Sequence, residues 1–237
     1  VFYQPVVDAR TGKIVSAEAL VRWLHEQKGW ISPGQFIPAL EKGGYISQLD
    51  RYMIEKVTGC LDQRRAEKKR FVPVSVNLSW MDFYDENMLE WIVRGLKKNN
   101  QNEQKIRFEI TETSLAAIGE NHTRMLTHLK ENGAEILLDD FGSGYSSFGM
   151  LQDYDFDILK MDISFVRNIG VNKKSESILR AIIDMAHQLE IRLVAEGAET
   201  EEQVAFLREN GCDYIQGYYY YKPMPEKEFL QLLDEGK

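Results

Sequence analysis

Two adjacent carboxylates, Asp139 and Asp140, lie in the sequence ILLDDFGSGYSS at residues 136–147. The apolar run before them has the length of a buried strand, and Gly142 and Gly144 can adopt backbone angles that other residues avoid. Neighbouring carboxylates repel each other and are costly to bury, so a buried pair needs cations or a shared proton. For this motif taken alone, a solvent-exposed Asp-Asp turn is an equally good interpretation.

Asp140, Phe141 and Gly142 also spell the DFG motif of protein kinases. A kinase needs a glycine-rich loop upstream, a lysine on its third strand and an HRD catalytic loop. None of these accompanies the motif here, and we exclude the kinase interpretation.

Polar residues end several other apolar runs of strand length. They are Glu18, Asn77, Glu109, Asp139 with Asp140, Lys160, Glu196 and Gln216. Any one of them could be an ordinary polar residue at an exposed strand end, but seven such ends are unlikely to arise by accident. The C-terminal ends of barrel strands form one face, so residues far apart in sequence can converge there.

Five carboxylates would then lie around one opening together with an amide. The carboxylates would raise one another's pKa values unless divalent cations neutralised them. Oxygen ligands favour Mg²⁺ or Mn²⁺ over zinc, and the four histidines have no metal-binding spacing. Two such cations can hold a phosphodiester, ionise a water molecule and stabilise the leaving oxygen. The predicted chemistry is metal-assisted hydrolysis of a phosphoester.

The elements that must position these residues alternate between strands and helices. Residues 1–7 and 13–20 read as a hairpin, and further strands are predicted at 72–77, 105–110, 134–139, 156–161, 192–196 and 213–216. Helices are predicted at 33–41, 46–61, 87–98, 122–131, 175–189, 201–209 and 225–233. The strand count predicts the α/β class and a (β/α)₈ TIM barrel, and the hairpin makes one strand antiparallel to the others.

The bulk composition fits one barrel domain over residues 1–237, with 43% hydrophobic residues and a net charge of −8. This charge argues against a nucleic acid polymer as partner. Cys60 and Cys212 form no CxxC motif, which favours a reducing, cytoplasmic location. No apolar run approaches a membrane span, so we expect no membrane insertion by this domain. Because the sequence starts inside a predicted strand without an initiator Met, we expect a longer parent protein with regulatory domains or a membrane anchor.

Seven motifs occur in a fixed order along the chain. They are AEAL at 17–20, NLS at 77–79, EITE at 109–112, DDFGSGYSS at 139–147, KMD at 160–162, AEGAE at 195–199 and QGY at 216–218. Together they closely resemble the EAL family of cyclic di-GMP phosphodiesterases, over residues 3–223. The resemblance implies a barrel with one reversed strand that hydrolyses cyclic di-GMP to linear pGpG.

The resemblance also implies a pair of divalent cations, Mg²⁺ or Mn²⁺. By the family pattern, the first cation is held by Glu18, Asn77, Glu109 and Asp139. Asp139 would bridge to a second cation near Asp140.

Further residues match family positions with catalytic roles. Lys160 would orient and help to ionise the attacking water, and Glu196 would be the general base. Glu199 and Gln216 would support the water and the metal ligands. Glu112 resembles the residue that secures the Asp-Asp loop, although an exposed glutamate at a helix N-terminus is the alternative interpretation.

Gln4 and Arg22 match family positions that contact the nucleotide, and a guanidinium can donate two hydrogen bonds to a phosphate. Leu20 would offer an apolar wall near the substrate. The alternatives are a strand-edge polar residue for Gln4, a surface ion pair for Arg22 and a core position for Leu20.

The chain departs from the family pattern at Ser143, Met161, Ala198 and Ile163, where Thr, Ile, Val and Arg are usual. None of these changes removes an expected ligand. We therefore expect an enzyme. The alternatives are a cyclic di-GMP receptor or partner-binding module without catalysis, and a metal-dependent barrel acting on another phosphoester or an enolate. A homodimer is a further expectation.

Overall fold

The computed structural model describes residues 1–99, 106–118, 122–143 and 147–236. Its strands are β1 (Phe2–Asp8), β2 (Ile14–Leu20), β3 (Trp23–His25), β4 (Gly29–Ile31), β5 (Val74–Asn77), β6 (Ile106–Thr111), β7 (Glu135–Phe141), β8 (Ile158–Met161), β9 (Arg192–Glu196), β10 (Tyr214–Gln216) and β11 (Met224–Pro225). The predicted start of the β6 strand at Lys105 lies outside the described residues.

The α-helices surround these strands. They are α1 (Pro33–Gly43), α2 (Ile46–Ala66), α3 (Glu86–Asn99), α4 (Glu112–Ile118), α5 (His122–Glu131), α6 (Ser147–Asp153), α7 (Ile163–Arg167), α8 (Lys173–Gln188), α9 (Glu201–Glu209) and α10 (Glu226–Asp234). A short 3₁₀ helix, Trp80–Tyr84, follows β5. Within the described chain, no helix combines the length and the apolar character needed to cross a membrane.

Eight strands close into a barrel in the order β1-β2-β5-β6-β7-β8-β9-β10, and β10 pairs again with β1. Strand β1 is antiparallel to both of its neighbours, whereas the other neighbouring pairs are parallel. A tight hairpin can join antiparallel strands only, while parallel strands need a crossover connection, which explains the reversed β1. The predicted fold, a TIM barrel with one antiparallel strand, is confirmed.

An apolar layer closes the barrel interior beneath the polar ends of the strands. It consists of Val6, Leu137, Ile158 and Val194, with Tyr214 packed against it. Side chains alternate along a strand, so residues two positions further along β7, β8 and β9 face the same interior. These residues are Asp139, Lys160 and Glu196. The sequence thus places charged groups on top of an apolar floor.

Candidate active site

Lys160 lies at the centre of the barrel's C-terminal end and is only 2% exposed. Its Nζ atom lies 2.7 Å from Glu109 Oε2, 2.7 Å from Glu196 Oε1, 3.1 Å from Asp139 Oδ1 and 3.4 Å from Glu18 Oε2. The carboxylates come from four different strands. One ammonium group therefore joins strand ends that are distant in sequence.

Three amide side chains extend this network. Gln216 Nε2 donates to Glu18 Oε2 at 2.7 Å and approaches Gln4 Oε1 at 3.3 Å. Gln4 Nε2 donates to the Tyr221 carbonyl at 3.2 Å, and Asn77 Nδ2 approaches Glu18 Oε1 at 3.4 Å. Gln4 is buried inside the barrel, so it is not a strand-edge polar residue.

An irregular backbone at the end of β7 presents both aspartates to the site. The pairing register with β8 shifts between Leu138 and Phe141, and Asp140 has a φ of 56°. Its backbone N–H donates to Asp139 Oδ1 at 3.0 Å. A bulge redirects side chains, and Asp is one of the few residues that tolerate positive φ. Consequently, one oxygen each from Asp139, Asp140 and Glu196 lies within 4.8 Å of the others, close enough to hold a metal ion.

The site carries more negative charge than Lys160 neutralises. Burial and the neighbouring Glu18 carboxylate hold the pKa of Glu109 well above its usual value, and burial raises the pKa of Glu196 to about 8. Burial and Asp139 also raise the pKa of Asp140. Burial would raise the pKa of Glu18 too, but Lys160 and Gln216 outweigh it, so this pKa is lowered. Glu109 Oε1 is buried and has no hydrogen-bond partner within the described residues.

These observations fit divalent cations. The candidate ligands are oxygen atoms, and those of Asp139, Asp140 and Glu196 already lie close together. One buried carboxylate oxygen, Glu109 Oε1, has no hydrogen-bond partner within the described residues. A cation would offset the burial and the mutual repulsion that raise the pKa values of Glu109, Asp140 and Glu196. Glu196, which the sequence suggests as a general base, is thereby also a candidate metal ligand.

A cavity of about 300 Å³ opens above Lys160. Its lining includes Gln4, Glu18, Leu20, Asp139, Lys160, Glu196, Glu199 and Gln216, together with Ile163, Arg167, Gly197, Gly217 and Tyr218. Leu20 therefore forms part of an apolar wall. The cavity combines a charged floor with space for a ligand larger than a metal ion.

Arg22 does not line this cavity. Its Nη1 atom donates to the Val21 carbonyl at 2.8 Å, and the side chain borders a neighbouring cavity of about 290 Å³. Leu20 lines both cavities, so the two spaces share a wall there, and Asn77 borders the neighbouring one. The structure thus places Arg22 beside the charged centre and outside its main opening.

Glu112 is the first residue of α4 and is buried, with 4% exposure. The burial excludes an exposed glutamate at this position. The preceding residue, Thr111, pairs with Asp139 in the β6–β7 register, so Glu112 follows directly beside the Asp-Asp segment. Gly144 and the two residues after it in that loop lie outside the described residues.

Glycines allow two turns at the rim to pass close to other atoms. Gly197 has a φ of 74°, and a Cβ there would lie 2.1 Å from Cγ1 of Ile163. At Gly217, a Cβ would lie 2.2 Å from the Ala198 carbonyl oxygen. Ile163, one of the four departures from the family pattern, therefore packs against the turn that follows Glu196.

Arg167 is a residue of the cavity that the sequence did not single out. It ends α7, which begins after β8 because Asp162 caps it by accepting from the Ser164 N–H. Its guanidinium makes no ion pair or hydrogen bond with any residue that the structure describes. The N-capping aspartate two residues after Lys160 was the available signal for a short helix at this rim.

The family model for the EAL domain matches residues 1–223. The probable cyclic di-GMP phosphodiesterase PdeG of Escherichia coli K12 is 33% identical over 232 residues, which are 98% of this chain and 46% of PdeG. The cyclic di-GMP phosphodiesterase NbdA of Pseudomonas aeruginosa is 34% identical over 232 residues, 97% of this chain and 30% of NbdA.

A solved structure shows the same fold. The PaMucR phosphodiesterase in complex with c-di-GMP superimposes with a TM-score of 0.85 and 32% identity, covering 96% of this chain and 92% of that one. The present chain spans less than half the length of PdeG or NbdA. By its sequence motifs, its reversed-strand barrel and the match of the family model, this chain belongs to the EAL domain family.

Proposed function

We propose that this chain hydrolyses one phosphodiester bond of cyclic di-GMP and releases linear pGpG. The observation that carries this proposal is the cluster of four carboxylates around Lys160 on the floor of a ligand-sized cavity. The names of PdeG, NbdA and the PaMucR complex support the same substrate. The proposal concerns this domain, and other parts of a parent protein would regulate it.

The expected cofactor is a pair of Mg²⁺ or Mn²⁺ ions. The first ion would be held by Glu18, Asn77, Glu109 and Asp139. Asp139, Asp140 and Glu196 offer the oxygen group for the second ion. When bound, these cations would polarise the scissile phosphate and lower the pKa of a water molecule.

The chain's own side chains would orient and deprotonate the water. Lys160 lies between Asp139 and Glu196, and with its carboxylate partners engaged as metal ligands, one of its three N–H groups would orient a water molecule beside both. Glu196 would accept the proton as general base. Glu199 lies in the cavity wall, and Gln216 holds Glu18 in place by a 2.7 Å hydrogen bond.

The substrate would lie in the cavity between an apolar and a cationic wall. Leu20 and Gln4 border the opening, and Arg22 would reach the nucleotide from the neighbouring cavity. We add Arg167 to these residues, because its guanidinium lines the cavity and pairs with no residue in the described part of the chain, which suits an anionic phosphodiester.

The direct test is turnover by the purified chain. Chromatography should show conversion of cyclic di-GMP to pGpG with Mg²⁺ or Mn²⁺, and chelation should abolish it. Binding of cyclic di-GMP without turnover in excess metal would instead identify a receptor. Hydrolysis of other phosphodiesters with cyclic di-GMP left intact would contradict the proposed substrate.

Arg167→Ala should raise KM for cyclic di-GMP roughly tenfold and leave kcat nearly unchanged, because one charge-assisted contact to the substrate is lost. Steady-state kinetics would measure both parameters. Lys174→Ala is the matched control, since this exposed lysine in α8 lies outside the cavity lining. An unchanged KM, or a fall confined to kcat, would refute a substrate-binding role for Arg167.

Glu112→Ala should slow turnover by about 10- to 100-fold, the usual effect of losing a residue that orients metal ligands. Circular dichroism should show an intact barrel. Thr113→Ala, an exposed neighbour in the same helix, is expected to keep full activity. Wild-type turnover with unchanged metal dependence in Glu112→Ala would contradict its role in securing the Asp-Asp loop.

Three further expectations concern the whole protein. A homodimer, regulatory domains in a longer chain and a cytoplasmic location remain predictions. Size-exclusion chromatography with light scattering would test the first of them.

A further inference from the structure

Two acidic side chains are buried outside the charged centre. Asp50 in α2 is 6% exposed, and Asp82 in the 3₁₀ helix is fully buried. The backbone N–H of Ser79 donates to Oδ2 of Asp50 and to Oδ2 of Asp82, at 3.1 Å in both cases. A shared donor keeps the two carboxyl groups next to each other.

Two ionised carboxylates that are adjacent and buried would repel each other strongly, because no solvent screens their charges. A single proton between them removes one charge and adds one donor. Asp82 Oδ1 is buried and has no hydrogen-bond partner within the described chain, so it can accept from a protonated Asp50. In agreement, burial and the neighbouring Asp82 raise the pKa of Asp50 to about 9.

The pair holds the segment that leaves strand β5. Asn77 is the last residue of β5, and the next backbone N–H, at Leu78, donates to the Glu109 carbonyl at 2.9 Å. Ser79 is then held by Asp50 and Asp82, and its hydroxyl also contacts Asp82 Oδ2 at 3.2 Å. The neighbouring strand and the acidic pair therefore fix the backbone directly after Asn77.

We propose that Asp50 and Asp82 share one proton and act as positioning residues that hold Asn77 in place for metal binding. The inference rests on the proposed function, because it takes Asn77 as a metal ligand. Neither aspartate touches the metal or the substrate. Their effect reaches the site through Ser79 and the backbone of β5.

The test compares two replacements of Asp50. Asp50→Asn supplies a neutral amide that can donate to Asp82 and accept from the Ser79 N–H, so it should keep the Mn²⁺ affinity of the wild type. Asp50→Ala leaves Asp82 as a lone buried carboxylate and should weaken Mn²⁺ binding about 10- to 100-fold. Calorimetric titration of the metal-free protein with Mn²⁺ alone measures both affinities.

Amide hydrogen exchange provides a second readout that needs neither metal nor substrate. In Asp50→Ala the Ser79 amide should exchange roughly tenfold faster or more, because it loses one acceptor and its segment loosens. In Asp50→Asn it should exchange at the wild-type rate. If Asp50→Ala does not fold, Asp50→Ser replaces it, since a serine hydroxyl is too short to reach both Ser79 and Asp82.

Val57→Ala is the control for general weakening of α2, because Val57 is fully buried in the same helix and lies outside the contacts of Ser79. It should lower the melting temperature and keep the Mn²⁺ affinity. Wild-type Mn²⁺ affinity in Asp50→Ala would overturn the proposal, and so would an Asp50→Asn variant as weak as Asp50→Ala. Absence of Mn²⁺ binding by the wild type would refute the proposed function, while the exchange rates would still show whether the pair holds Ser79.

Discussion

Lys160→Met is expected to abolish turnover and to destabilise the metal-free protein. The side chain is fully enclosed, and its ammonium contacts carboxylates from four strands. Removing one partner of a buried ion pair leaves an uncompensated charge and costs about 3–5 kcal/mol. For a chain of this size, that loss lowers Tm by roughly 6–20 °C. Methionine has a similar length, so the effect comes from the charge and not from a cavity.

Thermal unfolding in chelator and in Mn²⁺ measures this effect. Mn²⁺ should raise the Tm of Lys160→Met more than that of the wild type, because a cation then neutralises carboxylates that have lost their ammonium. Turnover should stay absent, since the cation cannot replace the N–H donors that orient the water. A variant with normal turnover would refute the role of Lys160.

Lys130→Met is the matched control. Lys130 also pairs with two carboxylates, Asp155 at 2.7 Å and Asp157 at 3.3 Å, but its side chain is 22% exposed. The Lys130 side chain lies near the start of β7, towards the opposite end of that strand from Asp139. Because Asp155 is largely exposed and water reaches Lys130 and Asp157, this variant should lose less stability than Lys160→Met and no activity.

The sequence predicted the barrel because its strands end in polar residues at regular intervals. An apolar run that ends in Glu109 or Glu196 has one simple explanation, a buried strand that opens onto a polar face. The opening hairpin likewise predicted the reversed β1. These features depend on local patterns, and local patterns are visible in a single sequence.

Features that depend on the path of short segments were not predictable. The two-stranded sheet of β3 and β4 has three-residue strands, which carry no clear alternation. Arg22 stands two residues after the end of β2, and only the turn of the chain decides which cavity it borders. Asp140 reaches Asp139 and Glu196 through a bulge and a positive φ, and neither follows from propensity.

The burial of the Asp50–Asp82 pair was not predictable from the sequence either. Asp50 lies in the amphipathic pattern of α2, where an acidic residue normally faces solvent. Its burial depends on contact with a 3₁₀ helix that begins 30 residues later in the chain.

Glu18→Ala should abolish turnover and weaken Mn²⁺ binding by more than about 100-fold. Losing a residue that only orients metal ligands weakens binding by at most about that factor. Glu18 contacts Lys160 and accepts hydrogen bonds from Gln216 and Asn77. Its loss would remove a proposed metal ligand and also free the two amides of Gln216 and Asn77 that it orients. Titration with Mn²⁺ and single-turnover kinetics with cyclic di-GMP would measure the two effects separately.

Glu135→Ala distinguishes this loss from a general defect of the barrel. Glu135 is a carboxylate at the opposite end of β7, where it pairs with Arg107 and Arg192. Its removal should lower the melting temperature because Arg107 is largely buried, yet Mn²⁺ affinity and turnover should persist. If Glu18→Ala bound Mn²⁺ as tightly as Glu135→Ala does, Glu18 would not be a metal ligand. The 3.4 Å contact between Glu18 and Lys160 Nζ would then be only a structural ion pair within the charged centre.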